Sequence, residues 1–194
     1  ALSVIESLDP FAEGREIPFT EDFVSKYREA QRDRNYRITK WVRDEIDLMA
    51  SAGHHDRLFT TPRLWADLRM IDGSIDPSNR KSPSCYLGDP RRANYGIYGV
   101  GTVSSLRTWL SMWSLNESQC SAAPHLERIN VPSLVIDADG DSGVFPSDTQ
   151  AIVESLGSKD LTALTISGDH YLRDRENARD EVADVIVEWI QERS

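Results

Sequence analysis

Residues 131–141 read Val-Pro-Ser-Leu-Val-Ile-Asp-Ala-Asp-Gly-Asp and contain the strand that decides the fold. The apolar run 133–136 follows a proline and has the length of a buried strand. Alternating side chains predict a second strand over 161–166, and amphipathic patterns predict helices over 147–157 and about 178–192. Strand, helix, strand and helix in close succession predict a parallel sheet covered by helices, so the expected fold class is α/β.

An acidic and a basic side chain follow the two predicted strands. Asp141 comes just after the first strand and His170 just after the second. Ligands of open parallel sheets bind beyond the carboxyl ends of the strands, so both side chains are expected on the same rim. A carboxylate there can accept the imidazole N–H, fix its tautomer and stabilise the imidazolium. Each residue alone would more often be structural, but the pair at successive strand ends favours function.

The middle of the chain, residues 20 to about 115, is highly charged and is predicted to be mainly helical, with an irregular stretch over 72–101. Four helices are expected there: one after Thr20, a second around Trp41, a third from Pro62 and a fourth after Thr102. Their apolar positions are Phe23, Val24 and Tyr27; Ile38, Trp41, Val42, Ile46 and Met49; Leu64, Trp65, Leu68 and Ile71; and Leu106, Trp109, Leu110 and Trp113.

The bulk composition excludes several classes of protein. A length of 194 residues, 39% of them hydrophobic and 28% charged, fits one globular domain rather than a disordered chain. The net charge of −10 argues against nucleic acid or an anionic membrane as a partner, and no apolar run reaches membrane-spanning length. Two cysteines make neither a metal cluster nor a disulfide framework, so a reduced, cytoplasmic location is expected.

A resemblance to a known superfamily rests on the C-terminal motifs. The stretch 129–136, followed by Asp141, Val144 and Pro146 and then by Gly168-Asp-His-Tyr171, is similar to the C-terminal part of α/β-hydrolase fold enzymes. In that superfamily a strand ending in a Gly/Asp-rich turn delivers the triad acid. A later Gly-(Asp or Gly)-His motif delivers the base, and the chain order is nucleophile, acid, base.

The likeness covers about residues 126–194 and implies roles for the rest of the chain. Residues 1–19 would be a core strand and loop, 20–115 an inserted helical cap and 116–194 the C-terminal core segment. By resemblance, Asp141 would be the orienting acid and His170 the general base. The substrate would be a small, fairly apolar molecule, and neither a metal nor an organic cofactor is implied.

Two tryptophans of the implied cap are candidate substrate-binding residues. Aromatic side chains at helical spacing are core residues more often than pocket residues. In a cap, however, some of them would line an apolar substrate cavity, and Trp109 and Trp113 are the first candidates.

The superfamily's nucleophile elbow, Gly-x-Ser-x-Gly, is absent from the sequence. The nearest stretch, Gly99-Val-Gly-Thr-Val-Ser-Ser105, has the wrong spacing. The nucleophile (Ser, Cys or Asp) is therefore expected upstream of this chain or in another chain, and this chain alone is expected to be an inactive fragment. An Asp nucleophile would shift the chemistry from ester hydrolysis toward dehalogenation or epoxide opening. The alternative is a non-catalytic, hydrolase-like binding or interaction domain.

Other interpretations of the same residues are weaker. Residues 137–141, Asp-Ala-Asp-Gly-Asp, resemble the motif of haloacid-dehalogenase-type phosphatases, but only 53 residues follow to supply the other acidic and lysine groups. As a calcium loop this stretch would need Gly at its sixth position and Glu at its twelfth, where Ser142 and Asp148 stand. His54-His55-Asp56 could suggest a metal, but no third ligand is evident. No metal site is predicted.

Overall fold

A computed structural model describes residues 7–61, 67–96 and 101–194. Within these ranges the protein is a mixed α/β structure with six α-helices and two small two-stranded sheets, one of which is parallel. The helices are α1 (Glu21–Ser51), α2 (Pro90–Tyr95), α3 (Leu106–Thr108), α4 (Ala123–Leu126), α5 (Pro146–Ser155) and α6 (Ala178–Gln191). The strands are β1 (Leu58–Thr60), β2 (Val103–Ser105), β3 (Ser133–Ala138) and β4 (Leu161–Ile166).

The chain divides into two compact units. The first contains residues up to 68 together with 89–121, and the second contains 69–88 together with 122–194. Residues 69–88, which the sequence assigns to the cap, thus pack with the C-terminal part. The three-part division into core strand, cap and C-terminal core stays a prediction, and residues 1–6 of its first part lie outside the described ranges.

Helix α1 replaces the two helices that the sequence predicted before residue 52. It runs unbroken for 31 residues because the segment 28–37 between the two apolar patterns contains neither Gly nor Pro. Thr20 caps its N-terminus: the Thr20 hydroxyl accepts the Phe23 N–H at 3.2 Å. Two acidic residues in the first turn, Glu21 and Asp22, stabilise the helix through their interaction with its dipole.

The core of the first unit is built on the apolar face of α1. Val42, Leu106 and Trp109 are completely buried. The partly buried side chains packed on them are Ile38, Ile46, Met49, Phe59, Leu110 and Trp113. The Trp109 indole donates a hydrogen bond of 3.1 Å to the buried hydroxyl of Thr39, so its polar atom is satisfied inside the core.

Three short elements of the first unit differ from the sequence prediction. The fourth predicted helix begins at Leu106 and continues as a π-helical turn over Trp109–Trp113, whereas the residues just before it form β2. Strand β2 pairs antiparallel with β1, an unpredicted pair because three residues are too few to show a periodicity. Helix α2 lies in the stretch predicted to be irregular, although Asp89 before Pro90 is an N-cap signal that the sequence contains.

The third helix was predicted to begin at Pro62, and its first residues, 62–66, lie outside the described ranges. Its remaining part contains a single 3₁₀ turn, Leu68–Met70.

The parallel sheet of the second unit confirms the strands and helices predicted from the C-terminal sequence. Strands β3 and β4 pair in parallel from Ser133 opposite Leu161 to Ala138 opposite Ile166. Helix α6 packs against β4, where the indole N–H of Trp189 donates to the Thr162 hydroxyl at 3.0 Å. Both strands therefore end at the same edge, which is where the polar turns that follow them meet. Among the described residues, no helix combines the length and apolar character needed to cross a membrane.

Candidate active site

Hydrogen bonds join the turn that follows β3 to the turn that follows β4. The N–H of Gly140 donates to the carbonyl of Gly168 at 3.0 Å, and the N–H of Gly168 donates to Oδ1 of Asp139 at 3.1 Å. A Cβ at position 140 would lie 2.8 Å from the Gly168 carbonyl oxygen, which is closer than real Cβ contacts allow. Glycine at 140 is therefore what lets the two turns approach each other.

This approach brings Asp141 and His170 together. Nδ1 of His170 lies 2.9 Å from Oδ1 and 3.0 Å from Oδ2 of Asp141. The His170 side chain is 29% exposed and the Asp141 side chain 13% exposed, so the imidazole is reachable from solvent while its partner is largely covered. The proximity expected from the two strand ends is present in the structure.

The hydrogen bonds around Asp141 define the roles of the two imidazole nitrogens. Oδ1 of Asp141 also accepts the N–H of Gly143 at 2.6 Å and of Val144 at 3.0 Å. An ionised carboxylate accepts hydrogen bonds and has no proton to donate. Nδ1 of His170 must then carry the proton that lies between the two side chains, and Nε2 of the neutral ring is left as the basic nitrogen.

Two tyrosines contact the imidazole of His170. The Tyr86 ring centroid is 4.9 Å from that of His170 with an interplanar angle of 33°, and the Tyr171 ring meets it edge-on at 4.8 Å and 81°. Burial raises the pKa of Tyr86 above its ordinary value, and Tyr171 and Cys85 nearby add to the rise. The Tyr86 phenol is therefore neutral at physiological pH. Tyr86 was not predicted from the sequence, because no local motif marks it.

The turn carrying Asp141 is supported by Phe145, which is 1% exposed. The guanidinium groups of Arg69 and Arg80 lie over the Phe145 ring, at 4.2 and 5.0 Å from its centroid. The Phe145 N–H donates to the Asp148 carboxylate at 3.1 Å. The backbone between the acid and α5 is thus held by side chains from distant parts of the sequence.

Asp139, in the same 137–141 stretch, is held by two hydrogen bonds. Asp139 accepts the side-chain amide of Asn79 at 2.7 Å as well as the Gly168 N–H. The Asn79 hydrogen bond lowers the pKa of Asp139 against the opposing effect of desolvation. Across the described ranges, no group of three or more His, Cys, Asp or Glu side chains could hold a metal ion, and this includes His54-His55-Asp56.

The remaining sequence-predicted site residues, Trp109 and Trp113, belong to the core of the first unit. Trp109 is completely buried and Trp113 packs against it, so the structure accounts for both by packing. Their proposed contact with substrate stays a prediction.

A cavity of about 250 Å³ opens on one face of the parallel sheet, beside α5. Val135, Asp137 and Ala163 are among its lining residues, whereas Asp141 and His170 are not. It is therefore separate from the acid–base pair.

Comparisons of the chain with protein-family models, with curated proteins and with solved structures found no match.

Proposed function

We propose that this chain is the acid- and base-bearing part of an α/β-hydrolase that cleaves an ester, or a related acyl bond, of a small and fairly apolar molecule. The observation that carries the proposal is the contact between His170 Nδ1 and the Asp141 carboxylate at the ends of two adjacent parallel strands. The chain order of acid and base and the Gly-Asp-His sequence at 168–170 support it.

The mechanism follows from the protonation states that the hydrogen bonds favour. Nε2 of His170 takes the proton of a nucleophilic hydroxyl or thiol as that group attacks the acyl carbon. Asp141 stabilises the imidazolium formed in this step without taking its proton. His170 then gives the proton to the leaving alcohol as the acyl–oxygen bond breaks, and water repeats the sequence to release the acid. The proposal requires a nucleophile from outside these 194 residues, either upstream or in another chain.

The surroundings of His170 support a fairly apolar substrate. Tyr86 and Tyr171 present aromatic surface beside the base, and Tyr171 is 43% exposed. Pockets for small organic substrates are mainly apolar with a few polar groups that orient the ligand. Cys85 and Cys120 are both free thiols, which is compatible with the cytoplasmic location predicted from the sequence.

The test uses the full-length protein that contains this chain, with p-nitrophenyl acetate and butyrate as substrates and a fluorophosphonate as the label for a nucleophilic serine. We expect turnover and stoichiometric labelling. His170→Ala should lower kcat by about 10⁶-fold and Asp141→Asn by about 10⁴-fold, the losses typical of a triad base and of its orienting acid. His125→Ala, which removes an exposed histidine from α4, is the matched control and should keep wild-type turnover.

Two outcomes would contradict the proposal. Wild-type kcat in His170→Ala would exclude His170 as the base. A full-length protein with neither turnover nor a Ser, Cys or Asp elbow would favour the alternative, a hydrolase-like domain that binds a partner without catalysis.

A further inference from the structure

The backbone of segment 69–88 wraps around the buried side chain of Arg80. The Arg80 guanidinium donates to the backbone carbonyls of Arg69, Ile75 and Asp76. Arg80 is 7% exposed, so these carbonyl contacts take the place of water around a buried cation. Ser84 adds a backbone hydrogen bond of 2.8 Å to the carbonyl of Met70, which joins the two ends of the segment.

This folded segment is attached to the acid-bearing turn at two further points. Asn79 bonds Asp139 twice, with its N–H to the carbonyl at 2.9 Å and with its side-chain amide to the carboxylate at 2.7 Å. Asp76 accepts the N–H and the hydroxyl of Ser147 at the start of α5. The position of the segment relative to the turn around Asp141 is therefore fixed on both sides of that turn.

Tyr86 lies at the tip of this segment in a tight turn. Cys85 and Gly88 exchange two backbone hydrogen bonds of 2.9 and 2.7 Å across it, and Gly88 has the positive φ of +98° that favours glycine. The Cys85 side chain is buried, which anchors the turn. The Tyr86 ring is thereby held over the imidazole of His170.

We propose that Tyr86 is a positioning residue for His170: its ring holds the imidazole in the plane in which Nδ1 faces the Asp141 carboxylate. The χ2 torsion of histidine has a broad energy profile, so two hydrogen-bonding distances to one nitrogen do not by themselves prevent the ring from rotating. The Tyr86 ring packs against the imidazole, and the space beside Nδ1 and Cε1 is so narrow that a Cβ at position 143 would lie 3.1 and 3.2 Å from them, so both neighbours restrict the rotation. The catalytic consequence rests on the proposed function, whereas the effect on the imidazole does not.

The experiment measures the imidazole directly by long-range ¹H–¹⁵N NMR of the full-length protein, which reports the tautomer of His170 and the solvent exchange of its Nδ1–H. In the wild type we expect a slowly exchanging Nδ1–H. Tyr86→Ala should accelerate that exchange about tenfold, the factor that corresponds to the upper end of an aromatic pair's contribution. Tyr86→Phe should keep the wild-type exchange rate, because it retains the ring that contacts the imidazole.

Two further variants separate positioning from general loss of structure. Tyr86→Leu keeps much of the volume without the aromatic face and should also exchange faster, which covers the case in which Tyr86→Ala does not fold. Tyr36→Ala removes an exposed tyrosine from α1 and should leave the His170 signals unchanged. In kinetics, Tyr86→Ala should lower kcat with little change in KM, and Tyr86→Phe should recover kcat.

The outcomes distinguish the two proposals. Wild-type exchange and tautomer in both Tyr86→Ala and Tyr86→Leu would overturn the positioning role and leave the acid–base pair intact. A wild-type His170 without a proton on Nδ1 would instead contradict the pair itself, and with it the proposed function.

Discussion

A methyl group at Gly143 would collide with the ring of Tyr86 and crowd the imidazole of His170. Its Cβ would lie 3.1 Å from Nδ1 and 3.2 Å from Cε1 of the imidazole, and 2.7 Å from Cδ1 of Tyr86. The Gly143 N–H donates to the carboxylate that binds the same Nδ1. Glycine at position 143 lets the turn that carries Asp141 approach the imidazole of His170. The reason for glycine here is therefore steric.

Gly143→Ala should therefore damage the pair more than it damages the fold. The Tyr86 ring must move and the imidazole must shift by a few tenths of an ångström, and misplacements up to 1 Å cost catalysis up to about 10²-fold. We expect kcat of the full-length protein to fall by up to that factor, while overpacking lowers the free energy of unfolding by about 1–3 kcal/mol. Ester hydrolysis and urea unfolding measure the two effects. The control is Ser142→Ala, which removes a hydroxyl from the same turn without adding volume. Equal kcat in wild type and Gly143→Ala would show that the ring is not confined as described.

The part of this site that the sequence predicted depends on local patterns. The apolar run before Asp137 and the alternation before Ser167 define β3 and β4, and parallel pairing carries Asp141 and His170 to one edge. Local sequence is sufficient here because Asp141 and His170 each follow closely on the strand that positions them.

The remainder of the site depends on contacts that no local pattern contains. Tyr86 and Arg80 reach the acid–base turns from a stretch that shows only Gly, Pro, Ser and Asn clusters, and their partners lie more than 50 residues away. The continuous α1 was missed for another reason: its charged middle has no apolar periodicity, yet it has no helix breaker either. Periodicity reports which face is buried, whereas helix continuity here depends on intrinsic propensity.

Asp76 supplies a cap that helix α5 lacks in its own sequence. The N-cap residue of α5 is Phe145, which has no side-chain acceptor, and the Asp76 carboxylate accepts the Ser147 N–H from 71 residues away. Burial raises the pKa of Asp76, but the hydroxyl and N–H of Ser147 and the Arg69 guanidinium outweigh it and lower the pKa below the ordinary value. A carboxyl with a lowered pKa contributes stability above its ordinary pKa and loses it as the pH falls through the folded-state value.

Asp76→Asn should accordingly destabilise the protein at neutral pH and much less in acid. Asn tolerates the positive φ of 59° at this position, so the substitution removes the charge without straining the backbone. We expect a loss of about 1–2 kcal/mol at pH 7, typical of a helix cap, and a loss that shrinks toward pH 3. Urea unfolding at several pH values measures it. Asp44→Asn breaks an exposed ion pair with Lys40 and serves as control, with an effect of a few tenths of a kcal/mol (about 0.3–0.5). A destabilisation by Asp76→Asn that stays constant down to pH 3 would argue against the charged cap.

Tyr27 should make the stability of the first unit fall at alkaline pH. It is 8% exposed, and burial raises its pKa to about 12, with the hydrogen bond from Gln31 opposing the rise and Asp67 adding to it. A group whose pKa is raised on folding contributes its stability in full below the unfolded-state pKa, near 10, and loses it as the pH rises toward 12. Between these pH values the free energy of unfolding falls by about 1.4 kcal/mol per pH unit, because the phenol ionises in the unfolded chain but not in the folded protein.

The effect of Tyr27→Phe on the free energy of unfolding should therefore change sign with pH. At pH 8 the variant loses the Gln31 hydrogen bond and should be less stable than the wild type by about 1 kcal/mol. Near pH 11 the wild type has lost a similar amount, so the two stabilities should cross, and above this pH the variant should be the more stable. Urea unfolding from pH 8 to pH 12 measures the difference, and Tyr36→Phe, at an exposed position of the same helix, should show no crossing. If the wild-type and Tyr27→Phe curves remain parallel up to pH 12, the phenol of Tyr27 is not buried in the folded protein.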